Sequence, residues 1–223
     1  MIVCIEDVLD LTELRQIRSS LDAASFVDGK TTAGYRAKRV KNNLQMDKAA
    51  DGAAQIKDLV LKGLKRNPTF RRVAIPRSIQ SPLISRYQVG MNYGRHVDDA
   101  LMGGDSKTRT DLSVTVFLSD LEDYDGGQLV IDTSLGEQEV RLPPGAAVVY
   151  PSTMLHRVAP ITRGERLAAV TWVQSHVHDV AKREILHDMD LISHALAKLA
   201  PEADETDLAS KTYSNLLRMW SET

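Results

Sequence analysis

The sequence predicts a mainly β fold with flanking helices. Three observations carry this expectation. Between Pro68 and His178, short runs rich in Val, Ile, Leu, Thr and Tyr are separated by turn residues, while helix-spaced apolar positions precede that region and return after it. Many short strands without helices between them fit a sandwich, barrel or jelly roll better than alternating β-α-β units. At 223 residues the chain suits one core with helical additions. It divides into a helical N-terminal support at 1–70, a β core at 71–178 and a helical extension at 179–223.

Each element has its own signal. Leu11, Leu14, Ile17 and Leu21 recur at helical spacing, and Asp10 followed by Glu13 resembles a capping box, so a helix opens at Asp10. Residues Phe26 to Asn43 show no clear period. Ala49, Ala53, Ile56, Val60 and Leu64 share one face, predicting a second helix over Asp47 to Lys65 before Pro68. Strands are expected at Ile84–Val89, Leu112–Leu118, Gln128–Asp132, Glu139–Leu142, Ala146–Tyr150, Leu155–Val158 and Arg166–Gln174. The turns are Gly126-Gly127, Pro143-Pro144-Gly145 and Thr162-Arg163-Gly164. Ile185, Met189, Ile192, Leu196 and Leu199 then mark a helix ending at Pro201, and Leu208, Leu216, Leu217 and Trp220 a last amphipathic stretch. That apolar stripe packs on the core or on a second subunit, so a homo-oligomer through the C-terminal helices is an open expectation.

Composition excludes several classes. Hydrophobic residues make up 43% and charged residues 26%, enough apolar material for a core and too little charge for wholesale disorder. With 28 Lys and Arg against 30 Asp and Glu, no global basic field favours nucleic acid or an anionic membrane. Cys4 is the only cysteine, so an intramolecular disulfide and a Cys-based zinc framework are excluded. No basic leader or membrane-length apolar run is seen, and a cytoplasmic location is expected.

Chemistry concentrates in a few residues. His96 and Asp98 lie two apart, and in an extended segment alternate side chains share a face, so both can reach one metal. His156 is the candidate third donor. Two histidines and a carboxylate can occupy one face of an octahedral iron(II), leaving positions for substrate-derived ligands and oxygen. Zinc accepts the same donors, but a structural zinc site closes with four, and no fourth is evident. If the segments holding His156 and Arg166 pair as a hairpin about Arg163, then His156, Val158, Arg166, Ala168 and Val170 share parity. Arg166 then points inward, about 10 to 14 Å deeper than the position opposite His156. Buried among Leu, Ala, Val and Trp, it needs an anion, and a ligand carboxylate can supply one bidentately. Pairing with Glu165 or another surface acid is the equal alternative.

These residues resemble the iron(II)- and 2-oxoglutarate-dependent dioxygenases, and more closely the PKHD-type hydroxylases, relatives of the prolyl 4-hydroxylase catalytic domain. The resemblance runs from about Pro82 to Ser175 through Arg86-Tyr87, Gly94-Arg95-His96-Val97-Asp98, Asp125-Gly126-Gly127-Gln128-Leu129, Pro144-Gly145, Pro151-Ser152 with Leu155-His156-Arg157-Val158, and Gly164-Glu165-Arg166. Thr32-Ala33-Gly34 and Val40-Lys41-Asn42-Asn43-Leu44 extend it beyond the core. It implies a double-stranded β-helix (jelly-roll) core, with His96, Asp98 and His156 as iron ligands. Arg166 would bind the distal carboxylate of 2-oxoglutarate, ten positions after the second histidine, and Tyr87 would assist through its hydroxyl. Phe117 stands where some relatives carry a second tyrosine. Halogenating relatives lack the carboxylate that Asp98 provides, so hydroxylation is implied.

The implied activity couples oxidative decarboxylation of 2-oxoglutarate to C–H hydroxylation of a small-molecule or peptide substrate, with ascorbate dependence and a link to bacterial iron uptake. The alternative is a noncatalytic jelly-roll protein that binds or senses iron or a small anion. Other candidates are set aside. His176 and His178 share a face but fit ordinary strand-edge roles, and His187 and His194 lie on one helical face with no third ligand. Asp99 should project away from Asp98, and Arg71, Arg72 and Arg77 read as a solvated loop.

Overall fold

In the computed structural model, which describes residues 1–32, 34–103 and 107–222, the chain begins with β1 (Val3–Ile5) and α1 (Leu11–Asp22). Asp10 caps α1 by accepting from the Thr12 and Glu13 amides, while the Glu13 carboxylate accepts from the Asp10 amide. Next come β2 (Phe26–Asp28), a 3-10 turn at Gly29–Thr32, α2 (Ala37–Val40), β3 (Lys41–Asn42) and β4 (Leu44–Met46). α3 (Ala53–Arg66) and α4 (Pro68–Ala74) follow, then β5 (Pro76–Ile79), β6 (Leu83–Gln88), β7 (Asn92–His96), β8 (Leu101–Met102) and β9 (Thr108–Arg109). The remaining strands are β10 (Leu112–Phe117), β11 (Tyr124–Gly126), β12 (Leu129–Thr133), β13 (Gly136–Val140), β14 (Ala147–Pro151), β15 (His156–Val158) and β16 (Ile161–Ser175). Helices α5 (Val180–Leu199) and α6 (Asp204–Trp220) close the chain.

Apart from β8 and β9, which pair only with each other, the described strands form two facing antiparallel sheets, the jelly-roll arrangement. The larger has the order β1-β14-β10-β16-β6-β4-β2, with β5 and β11 also paired to β16, and the smaller has the order β13-β12-β15-β7-β3. Alternation along the larger sheet's strands separates two cores. Leu112, Val114 and Val116 of β10, with Ala147, Val149, Ala169 and Val173, meet Leu14, Ile17 and Leu21 of α1, Ile56, Val60 and Leu64 of α3 and Phe70 of α4. Between the sheets lie Tyr87, Phe117, Leu129, Ile131, Val148, Tyr150, Val158 and Ile161. α5 buries little beyond Arg183, Leu186 and Asp190, and leaves Ile185, Leu191, Ile192 and Leu199 exposed.

Several expectations need correction. The N-terminal region supplies β1 to β4 to the sheets as well as helices. The second helix starts at Ala53, six residues later than its periodicity suggests, because Gly52 enters the left-handed region at φ 79°. Arg71 and Arg72 sit in α4, where the Arg72 guanidinium faces Asp190 at 3.5 Å. Most consequential, β15 and β16 do not form a hairpin. β15 pairs with β7 and β12, whereas β16 crosses to the larger sheet between β10 and β6. Thr162-Arg163-Gly164 is thus no turn. It lies within β16, near an irregularity in the pairing with β11, with Gly164 at φ 70°.

Candidate active site

The smaller sheet brings the two histidines together. His96 ends β7 and His156 begins β15, and the two are register partners. Asp98 lies just past β7, its Oδ1 3.9 Å from His96 Nε2 and its Oδ2 3.8 Å from His156 Nε2. One donor atom from each residue falls within 4.8 Å of the others, and all three side chains are largely buried. His96 Nδ1 lies 2.8 Å from the Gly94 carbonyl oxygen and His156 Nδ1 3.0 Å from that of Met154. Each Nδ1–H donates to its carbonyl, which leaves both Nε2 lone pairs facing Asp98. Burial, reinforced by neighbouring His156, pushes the His96 pKa down, keeping the ring in the neutral form that binds metals. Tyr93 stacks on the His96 ring at 3.7 Å, and Tyr150 meets His156 edge-on at 5.2 Å.

Asp98 is held from the opposite sheet. The Ser113 hydroxyl of β10 donates to Asp98 Oδ2 at 2.5 Å and lies 2.8 Å from the Ser152 hydroxyl. A carboxylate on a chain segment that has left its strand is thereby fixed against the strand facing it.

Arg166 points into the interior, as its parity requires, though on β16 of the larger sheet and not across a hairpin from His156. It is only 2% exposed and among the largest fully buried side chains. Among the described residues it has no ion pair, and its Nε is buried without an acceptor. Glu165, the alternative partner, faces Arg86 instead, at 3.3 Å. Tyr87 stands opposite Arg166 in the β6–β16 register, and the guanidinium carbon lies 5.4 Å from the ring centres of both Tyr87 and Phe117. Burial raises the Tyr87 hydroxyl to about 12, with Arg166 opposing the shift, so it is a neutral donor at pH 7. Gly127 gives Arg166 its room. At φ 66°, a Cβ there would approach the Arg166 Cδ to 3.0 Å and the Ile161 Cδ1 to 2.4 Å.

A cavity of about 630 Å³ runs over this region, lined by His96, Asp98, His156 and Tyr87. Its walls include Leu129, Val158, Val170 and Trp172, and on the N-terminal side Thr32, Lys41 and Gln45. Asp99 borders the same cavity beside Gly34 but is not part of the donor cluster. The His178 imidazole pairs with Glu222 at 2.5 Å and the His194 ring with Asp190, outside any donor cluster found among the described residues.

Sequence reasoning gave no site role to Ser113, Ser152, Gly127, Tyr93 or Lys41. Ser113 had a signal. Ser113 and Thr115 are polar on one face of a strand whose other face is Leu112, Val114 and Val116, yet both are buried.

Two facing antiparallel sheets around a His-Asp-His donor set place the protein in the class of iron(II)- and 2-oxoglutarate-dependent oxygenases. Residues 82–174 match the family model described as the 2OG-Fe(II) oxygenase superfamily, and residues 181–222 that of the PKHD-type hydroxylase C-terminal domain. PKHD-type hydroxylases of Synechococcus sp. (strain JA-2-3B'a(2-13)) and Synechococcus elongatus are 50% and 48% identical over 223 residues, spanning the whole of each chain. The chain belongs to the PKHD-type hydroxylases, and is a dioxygenase of the kind that uses iron(II) and 2-oxoglutarate. A Pseudomonas putida prolyl-4-hydroxylase shares the fold with a TM-score of 0.54 at 21% identity, covering 78% of this chain and 92% of that one. HygX from Streptomyces hygroscopicus, solved with nickel, 2-oxoglutarate and hygromycin B bound, does so with a TM-score of 0.52 at 16% identity, covering 79% and 84%. Among the described residues no helix is long and apolar enough to cross a membrane.

Proposed function

We propose that His96, Asp98 and His156 hold iron(II), that Arg166 with Tyr87 holds the distal carboxylate of 2-oxoglutarate, and that the protein hydroxylates a small molecule. One observation carries this reading: a buried guanidinium with no ion-pair partner among the described residues shares the interior between the sheets with a buried His-Asp-His donor set. An unpaired buried cation costs several kcal/mol, and a dicarboxylate reaching it from a metal relieves that cost. When bound, iron(II) with 2-oxoglutarate and oxygen supplies the oxidant for a C–H bond, while 2-oxoglutarate leaves as succinate and carbon dioxide.

The chain's own residues position and shield. The Gly94 and Met154 carbonyls fix the imidazole tautomers, and Ser113 fixes the Asp98 carboxylate. Arg166 offers a planar fork for a carboxylate, with the neutral Tyr87 hydroxyl beside it as a second donor. Leu129, Val158, Val170 and Trp172 keep the walls apolar and limit water. Ascorbate would sustain turnover by re-reducing iron, and a cytoplasmic role in iron uptake is the accompanying physiological proposal.

Anaerobic addition of iron(II) and 2-oxoglutarate to purified protein should give the weak visible band of the chelate, and aerobic incubation should release succinate. His96→Ala should lose both. A protein that binds iron yet shows neither band nor succinate, with cell extract as substrate source, would instead be a noncatalytic binder or sensor.

A further inference from the structure

The cavity lining beside the metal-donor residues, at the β3 edge of the same sheet, carries charge that the oxygenase reading leaves unused. Lys41, in β3, is 6% exposed. Its Nζ donates to Thr32 Oγ1 at 3.2 Å and lies 5.2 Å from the centre of the Tyr93 ring, which itself stacks on His96. An ammonium has three N–H donors, and among the described residues Thr32 is the only hydrogen-bond partner and no carboxylate lies within ion-pair distance. Thr32 passes its own proton to Gln45 Oε1 at 2.5 Å, so its oxygen is oriented to accept from Lys41.

Lys48 and Lys57 line the same cavity, whereas its described acidic lining is Asp98 and Asp99. Asp98 is committed to the donor cluster. A chain with net charge −2 has no general surplus of lysine to scatter here. Trp172, in the same lining, has its indole N–H buried without an acceptor. The cavity therefore offers a buried cation from one sheet and a buried neutral donor from the other, and among the described residues neither has a carboxylate partner. A cavity of about 630 Å³ is also of small-molecule size.

We propose that the substrate is a small carboxylate-bearing molecule and that Lys41 is the residue that selects it, by pairing with that carboxylate in the cavity beside the metal-donor residues. This rests on the oxygenase reading, since the carboxylate would anchor the molecule beside the reacting centre. Lys48 and Lys57, closer to solvent, contribute attraction and not selection.

The test uses full-length protein loaded with cobalt(II) and saturating 2-oxoglutarate, probed with matched pairs: hexanoate and hexanamide, phenylacetate and phenylacetamide, N-acetyl-leucine and its amide. Binding is followed by tryptophan fluorescence and calorimetry. The expected result is that the carboxylates bind roughly tenfold or more tighter than their amides, the value of a charge-assisted hydrogen bond. Lys41→Met should erase that preference, and Lys41→Arg should retain it, which separates selection from a folding defect. Equal binding of carboxylate and amide, a preference unchanged in Lys41→Met, or carboxylate binding that vanishes when 2-oxoglutarate is raised would each overturn the proposal. The iron(II)–2-oxoglutarate band of the wild-type protein is recorded alongside. Its absence fails the oxygenase reading, while its presence with no carboxylate preference fails only the assignment of Lys41.

Discussion

Replacing Arg166 by Met should change stability little without 2-oxoglutarate and abolish the stabilisation that 2-oxoglutarate provides. Without it, the wild-type protein holds a guanidinium at 2% exposure with no ion pair among the described residues and an orphaned Nε. Exchanging a buried charge for an apolar side chain of similar length is neutral to stabilising by about 1–4 kcal/mol. This is offset by contact of the buried guanidinium with the Tyr87 and Phe117 rings, each worth up to about 2 kcal/mol when desolvated. The two terms nearly cancel, so without ligand the variant's Tm should lie within about 8 °C of wild type. With 2-oxoglutarate the two proteins separate. At about 100 times Kd the ligand adds about 2.7 kcal/mol to the wild type, or about 5–10 °C. In the variant, the lost charge-assisted bonds of about 3–4 kcal/mol weaken binding by two to three orders of magnitude. Thermal melts of both proteins with a metal and graded 2-oxoglutarate measure all of this. A variant that keeps the ligand-dependent rise would refute the account of Arg166.

Three further perturbations test the surrounding structure. Ser113→Ala should reduce iron(II) affinity roughly 10–100-fold, because Asp98 loses the donor that orients it; competitive chelation reads this directly. Gly127→Ala should cost about 1–3 kcal/mol in denaturant titrations and also weaken 2-oxoglutarate binding, since the added methyl meets Ile161 and Arg166 at a left-handed backbone position. Metal-free protein should lose stability as pH falls below the ordinary histidine value of 6.5. The folded His96 pKa lies below that of the unfolded chain, so the unfolded state binds the extra proton, and stability declines by at most about 1.4 kcal/mol per pH unit for this group. Flat stability from pH 7 to pH 5 would contradict a buried neutral His96.

Legibility of the sequence followed the range of the forces involved. The Asp10–Glu13 cap was readable because its hydrogen bonds span three residues. The longer core strands were readable because one face packs on helices and the other faces the cavity. β1 to β4 were not, since two or three residues carry no period, and β1, β3 and β4 pair with strands far along the chain. The mistaken hairpin has a similar cause. Thr162-Arg163-Gly164 looks like a hairpin turn, but just before it Ala159 N–H donates to the Gln128 carbonyl, Gly127 N–H to that of Pro160 and Ile161 N–H to that of Met91. Those distant partners carry the chain from one sheet to the other. The inward direction of Arg166 survived the error because side-chain parity depends on the strand alone, whichever neighbour it pairs with.

The two sheets divide the proposed work in a way that explains why the site needs both. β7 and β15 present the imidazoles as neighbours within one rigid ladder, while β6, β10 and β16 present Tyr87, Ser113 and Arg166 from the other. Asp98 joins the halves. It leaves the smaller sheet at His96, and the Ser113 hydroxyl of the larger sheet fixes it. A shift between the sheets would therefore disturb the metal donors and the carboxylate fork together. β3, by contrast, meets the smaller sheet only at its edge, through Lys41 opposite Tyr93 and Asn42 opposite Asn92. The Lys41 backbone is outside both ladders' interiors while its side chain lies over the Tyr93 ring that stacks on His96, so variation at Lys41 changes the charge offered to an entering molecule beside the metal donors.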